Sequence, residues 1–165
     1  MSTTESAARY SRGAIILHWV IALLIGFQLL FGEEIGPAFR TLMKTGTASY
    51  DISALAHIGA GVLVLALGLW RIWLRVTRGA PAQPADEPRL LQITAHAVHG
   101  LLYLLIIGVP LAGLVAWFGQ NREIAELHEQ AKPAFIILVS LHVLAALWHQ
   151  FVRRNGLLLR MRRPG

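Results

Sequence analysis

Four long apolar stretches alternate with short polar ones along the chain: about Ala14 to Phe31, Ile52 to Leu74, Ile93 to Phe118 and Ala134 to Phe151. Each lies near the roughly 20 residues that a helix needs to cross a bilayer. Short connections between such helices make successive ones antiparallel. The pattern predicts an all-α protein, an integral membrane antiparallel four-helix bundle forming one transmembrane domain over residues 1–165. Pro110 and Gly113 interrupt the third stretch and predict a bend, which neighbouring helices accommodate by re-satisfying the freed backbone carbonyl. Between Gly32 and Asp51, charged residues mixed with Gly36, Pro37 and Gly46 read as a short irregular connection. Thr77 to Arg89 reads as an extended connector. Asn121 is placed to cap a last helix that begins before the apolar run, with Pro133 as a kink site within it.

Composition agrees, with 55% hydrophobic residues and a mean hydropathy of +0.55. The first stretch has the position of a secretory signal, but it is long, carries His18 and Gln28, and is followed by Glu33 and Glu34 rather than small residues; it reads as a retained span. The absence of cysteine excludes disulfides, cysteine-held iron–sulfur clusters and covalently attached c-type haem. The net charge of +6 is placed for a membrane surface and not for nucleic acid. Arg9 and Arg12, then Arg71, Arg75, Arg78 and Arg89, then Arg153, Arg154, Arg160, Arg162 and Arg163 fall on one side of the bundle. Only Arg40, Lys44, Arg122 and Lys132 fall on the other. By the positive-inside rule both termini are cytoplasmic, in contact with membrane lipid.

Histidines carry the chemistry. An ionisable side chain within a span is costly and marks a functional site by default. His128 and His142 lie on one helix, about 21 Å apart by the rise per residue and within roughly 40° of the same face. Helix direction then sorts the others by depth. His18 joins His142 toward the cytoplasmic side, and His57 joins His128 toward the outer side. His57 with His99 is disfavoured because they fall at opposite faces. Two depth-matched imidazole pairs in a four-helix bundle are what two b-type haems require as axial ligands. His18 also has a plainer reading, an interfacial histidine beside Trp19.

Arg71 and Arg75, one turn apart, are placed either to pair with haem propionates or to anchor the cytoplasmic end of their helix. His96 and His99 share one face and read either as proton-handling groups or as hydrated interfacial residues. His149 lies seven residues after His142 on nearly the same face. With His99 and His96 it forms the candidate catalytic set, able to supply protons.

The residues Tyr10, Ser11, Arg12, His18 and Trp19; His57, Gly61, Arg71 and Arg75; His96, His99, Tyr103, Pro110 and Gly113; His128; and His142, Ala145, Ala146, Leu147 and His149, continuing into Leu158 to Met161, resemble the prokaryotic cytochrome b561 family over nearly the whole chain. The resemblance implies a di-haem inner-membrane cytochrome, with His18 and His142 holding one haem b and His57 and His128 the other. Arg12, matched in the first motif, joins Arg71 and Arg75 among the cofactor-binding candidates. Members are linked to quinone reduction and to oxidation of superoxide at the outer face. The loop before His128 is shorter than the family's can be, leaving little chain there for a dedicated outer substrate site.

Three functions compete. The first is a quinone-linked oxidoreductase passing electrons between a small one-electron donor or redox partner protein at the outer face and ubiquinone at the cytoplasmic side. The second is a cytochrome b subunit serving a larger membrane oxidoreductase, which short loops disfavour. The third is a haem-free bundle with incidental histidines, which the depth matching disfavours.

Overall fold

The computed structural model describes residues 10–79, 87–156 and 158–161, without the side chain of Arg160. The polar start from Met1 to Ala8, Arg9, the middle of the connector from Thr77 to Arg89, and Arg162, Arg163 and Gly165 in the tail lie outside the described residues. Helices α1 (Arg12–Phe31), α2 (Gly36–Thr45), α3 (Ile52–Arg78), α4 (Arg89–Phe118) and α5 (Arg122–Phe151) are joined by short turns, with 3-10 turns at Gly32–Ile35 and Leu158–Met161. The long four, α1, α3, α4 and α5, are the membrane-spanning helices of an all-α bundle.

Local chemistry sets the ends. The Ser11 hydroxyl accepts from the Ala14 amide at 3.3 Å, and the Asn121 side chain accepts from the Ile124 amide at 3.0 Å, caps worth about 1 kcal/mol each. Asp51 caps α3 in the same way. The Ala54 amide, with Ser53, holds its carboxyl below the ordinary aspartate range. Helices α3, α4 and α5 run past the apolar stretches that mark them, because hydropathy registers only the length immersed in hydrocarbon. Helix α4 continues through Pro110 and α5 through Pro133.

The connection from Gly32 to Asp51 corrects the expectation of an irregular loop. It holds a 3-10 turn and then the ten-residue helix α2. Pro37 sits in the first turn, where its missing N–H has no helical partner to lose. Gly46 ends the helix in the left-handed region, at φ 69°, with its amide bonded to the Leu42 carbonyl. The punctuation read as loop-breaking therefore brackets a helix. Ala38 and Leu42 on its inner face pack with Ala54 and Trp117, closing one end of the bundle.

Helix α1 packs on α3, α3 on α4, and α4 on α5. One residue from each long helix, Ile21, Val64, Ile106 and Phe135, meets in a central apolar cluster. Outward-facing Leu23, Leu30 and Val76 are more than 70% exposed, the inside-out distribution of a protein whose solvent is lipid. The start of α1, the end of α3, the start of α4 and the end of α5 share one basic end. Trp19 Nε1 donates to the Met161 carbonyl at 3.0 Å, returning the chain beyond α5 to α1.

Candidate functional site

At the end closed by α2, His57 on α3 and His128 on α5 face each other, with ring centres 5.8 Å apart and planes at 66°. His128 Nδ1 donates to the Val109 carbonyl of α4 at 2.9 Å. Its Nε2 lone pair is thereby left for a metal. Gly113 makes room for that ring: a Cβ there would stand 2.9 Å from His128 Cε1. Gln28 Nε2, on α1, donates to the His57 carbonyl at 2.9 Å, while Gln28 Oε1, His57 Nδ1 and Trp117 Nε1 are buried without hydrogen-bond partners. These groups line a cavity of about 510 Å³, within the usual range for cofactor sites. Lys132 and Glu33, also in its wall, form an ion pair between α5 and the turn after α1. Phe39 and Arg40 of α2 contribute to the wall, so the helix hidden from the sequence helps to build this site.

Toward the basic end, His18 on α1 and His142 on α5 have ring centres 6.0 Å apart and planes at 69°. Two imidazoles bound to one iron through metal–nitrogen bonds of about 2 Å each place their ring centres roughly 6 Å apart. Both pairs fit that spacing. His99 of α4 also reaches His142, at 5.1 Å between ring centres, and its Nδ1 donates to the Ala95 carbonyl at 2.6 Å. That approach is short for a second axial ligand, so His99 flanks the pair. His96, on the exposed side of α4, has Nδ1 2.7 Å from the Gln92 carbonyl.

Arg71 Nη1 donates to the Ala14 carbonyl at 2.7 Å, tying α3 to α1, and the Arg75 guanidinium lies 5.9 Å from the centre of the Tyr103 ring. Arg12 is exposed in the first turn of α1. His149 is apart from the His18–His142 pair, with Nδ1 2.9 Å from Asn155 Nδ2 and 3.7 Å from Glu87 Oε2. The described structure thus brings together His57 with His128 and His18 with His142, places His99 at the second pair, and leaves His96, His149 and Arg12 outside both.

Two imidazole pairs spanning a lipid-facing bundle are suited to hold redox-active iron at two depths. The family described as prokaryotic cytochrome b561 matches residues 9–164. The chain belongs to that family. Similar proteins include a cytochrome b562 of Cereibacter sphaeroides, 37% identical over 94% of this chain and 96% of that protein. A cytochrome b561 homolog 1 of Escherichia coli K12 is 26% identical over 93% of this chain and 96% of that protein. A probable superoxide oxidase of Yersinia pestis is 28% identical over 93% and 95% respectively. This cytochrome is therefore a multi-pass bacterial membrane protein that binds haem b and transfers electrons.

Three features of the sites escape the sequence reading. Gln28 carries a signal, being an amide within an apolar stretch, but nothing local ties it to His57. Glu87 lies in a segment that reads only as an extended connector. The contact of His99 with His142 depends on the rotation of α4 about its own axis, which spacing within one helix does not give.

Proposed function

We propose that this cytochrome carries electrons between an outer-face one-electron donor and ubiquinone at the cytoplasmic side of the bacterial inner membrane, with two haem b groups bound within one domain. The observation that carries this reading is the pair of spacings, 6.0 Å for His18 with His142 and 5.8 Å for His57 with His128, at two depths of the same bundle. When bound, haem b supplies a one-electron redox centre at each site. His128, fixed by the Val109 carbonyl, and His57 hold the outer group; His18 and His142 hold the inner one. Arg71 and Arg75, at the basic end, neutralise negative charge beside the inner pair, and exposed Arg12 adds to the same field.

The basic end faces the cytoplasm by the positive-inside rule, since Arg12, Arg71, Arg75, Arg78, Arg89, Arg153 and Arg154 gather there. His149, at that end and outside the ligand pairs, gives protons to the quinone, with His99 and His96 as further candidates. Superoxide as donor is supported by the name of the Yersinia relative. Arg40 and Lys132 in the outer wall favour an anion, whereas Glu33 and Glu129 oppose it, so quinone is the firmer half of the assignment.

The test is haem stoichiometry and turnover on protein purified without a partner. Two haems per chain and reoxidation by a ubiquinone analogue are expected. One haem, or activity only with a co-purifying subunit, overturns the reading.

A further inference from the structure

His57 and Gln28 each keep one side-chain atom buried without a hydrogen-bond partner, Nδ1 of the imidazole and Oε1 of the amide. The two residues already meet, because Gln28 Nε2 on α1 donates to the His57 carbonyl on α3 at 2.9 Å. This contact decides which end of the amide is nitrogen, since the reverse would set two oxygens together. Nitrogen and oxygen belong to one planar group, so an amide held at the His57 carbonyl keeps its oxygen beside the same residue. Gly61, one turn beyond His57, lets the amide lie along α3: a Cβ there would stand 3.6 Å from Nε2.

The imidazole is turned toward the same helix. His96 and His99 hold Nδ1 2.7 and 2.6 Å from the carbonyl four residues back in α4. His57 instead rests its Nδ1–Cε1 edge on Gly32, where a Cβ would stand 3.4 Å from Cε1 and 3.5 Å from Nδ1. Gly32 ends α1 one turn beyond Gln28, and its amide occupies the Gln28 backbone carbonyl. The side-chain oxygen of Gln28 is therefore the unpaired acceptor at the corner where Nδ1 is the unpaired ring nitrogen. A metal-bound imidazole almost always donates its second ring N–H, as His128 does to Val109.

We infer that Gln28 is the positioning residue of His57: with Nε2 of His57 on iron, Nδ1 carries the ring proton and donates it to Gln28 Oε1. This rests on the reading of His57 and His128 as the axial pair of the outer haem. Such a bond makes the imidazole a stronger electron donor, which favours ferric iron and lowers the midpoint potential of that haem. His128 leans on a main-chain carbonyl, whereas the partner of His57 is a side chain. Residue 28 is thus the position through which the sequence sets the potential of the outer haem.

The test is a redox titration of haem-loaded protein followed by absorbance, with H57A, which removes the outer haem, identifying the potential of the inner one. Q28L removes donor and acceptor together and should raise the outer midpoint potential. Q28E loses the Nε2 donor but offers a stronger acceptor, and should lower it. The inner potential should stay in place in both. An outer potential unchanged in Q28L, or shifts of the same sign in Q28L and Q28E, overturns the inference, because a purely structural role through the His57 carbonyl would move both variants alike. In proton NMR of the ferric protein, the hyperfine-shifted Nδ1 proton that is missing from H57A should move in Q28L, and the one missing from H128A should not. An unmoved His57 proton overturns the inference too. If Q28L does not load the outer haem, Q28E carries the test: a lowered potential supports the bond, and a potential at or above wild type, or loss of the outer haem there as well, overturns it. An H57A protein that retains both haems overturns the ligand reading and this inference with it, whereas loss of one haem in H57A with no shift in either Gln28 variant overturns this inference alone.

Discussion

The His128 imidazole donates its Nδ1 proton to the backbone carbonyl of Val109, 2.9 Å away on the neighbouring helix. That bond fixes the tautomer and holds the ring, leaving Nε2 unprotonated, with the ring centre 5.8 Å from that of His57. Val109 precedes Pro110, and Gly113 lies one turn on. The stretch of α4 that reads as a helix interruption is thus the bed on which His128 rests.

His57→Ala or His128→Ala should remove about one of two haems and leave the other low-spin, because the two pairs share no ligand. Haem-to-protein ratio and the reduced-minus-oxidised spectrum check this. His18→Ala or His142→Ala should remove the other haem. A His57 or His128 variant that retains both haems unchanged rejects the assignment.

Gly113→Ala tests the bed itself. A Cβ at Gly113 would come 2.9 Å from His128 Cε1, closer than carbon atoms rest, so the ring must shift. The expected result is reduced occupancy or a displaced midpoint potential at the outer haem alone, with the His18–His142 site unchanged in a redox titration. Equal disturbance of both sites would mean that the substitution acts on the bundle as a whole.

Much of this was legible beforehand, for a physical reason. In a membrane, hydropathy gives the spans, their alternation gives direction, and direction converts position in the chain into depth. His18 could be set against His142, and His57 against His128, without knowing how any helix is rotated. Rotation is what the pattern withholds, because lipid-facing and bundle-facing residues are both apolar; the approach of His99 to His142 was hidden for that reason. Helix α2 was hidden for a different one. It is short and amphipathic, bracketed by Pro37 and Gly46, and its burial of Ala38 and Leu42 depends on Trp117, far away in the chain. Glu87 owes its burial to α5 and the residues beyond it, which no feature of the connector announces.

Orientation is testable by reporter fusion. With the basic residues placed inside, a reporter fused after Gly165 should be active only if it functions in the cytoplasm. Activity of a reporter that requires the periplasm would reverse the inner and outer assignments, and would put ubiquinone at the end closed by α2.

His149 separates proton delivery from haem binding. It follows His142 by two turns, about 10 Å along α5. Its Nδ1 is engaged by Asn155 and faced by Glu87, whereas the His142 ring is flanked by His18 and His99. Replacing His149 with Ala therefore leaves both histidine pairs intact, and full haem content with normal reduction by the donor is expected. Quinone reduction consumes protons as well as electrons, and a positioned general acid contributes about 10²–10⁴-fold to such a step. His149→Ala should accordingly slow reoxidation by quinone by at least about tenfold, the lower figure applying if His96 or His99 shares the task. Stopped-flow absorbance with a ubiquinone analogue at several pH values measures this directly. Unchanged quinone turnover across neutral pH would reject His149 as the donor. His99 would then be the next group to replace, since its ring touches His142 and its loss would be read in the haem spectrum as well as in the rate.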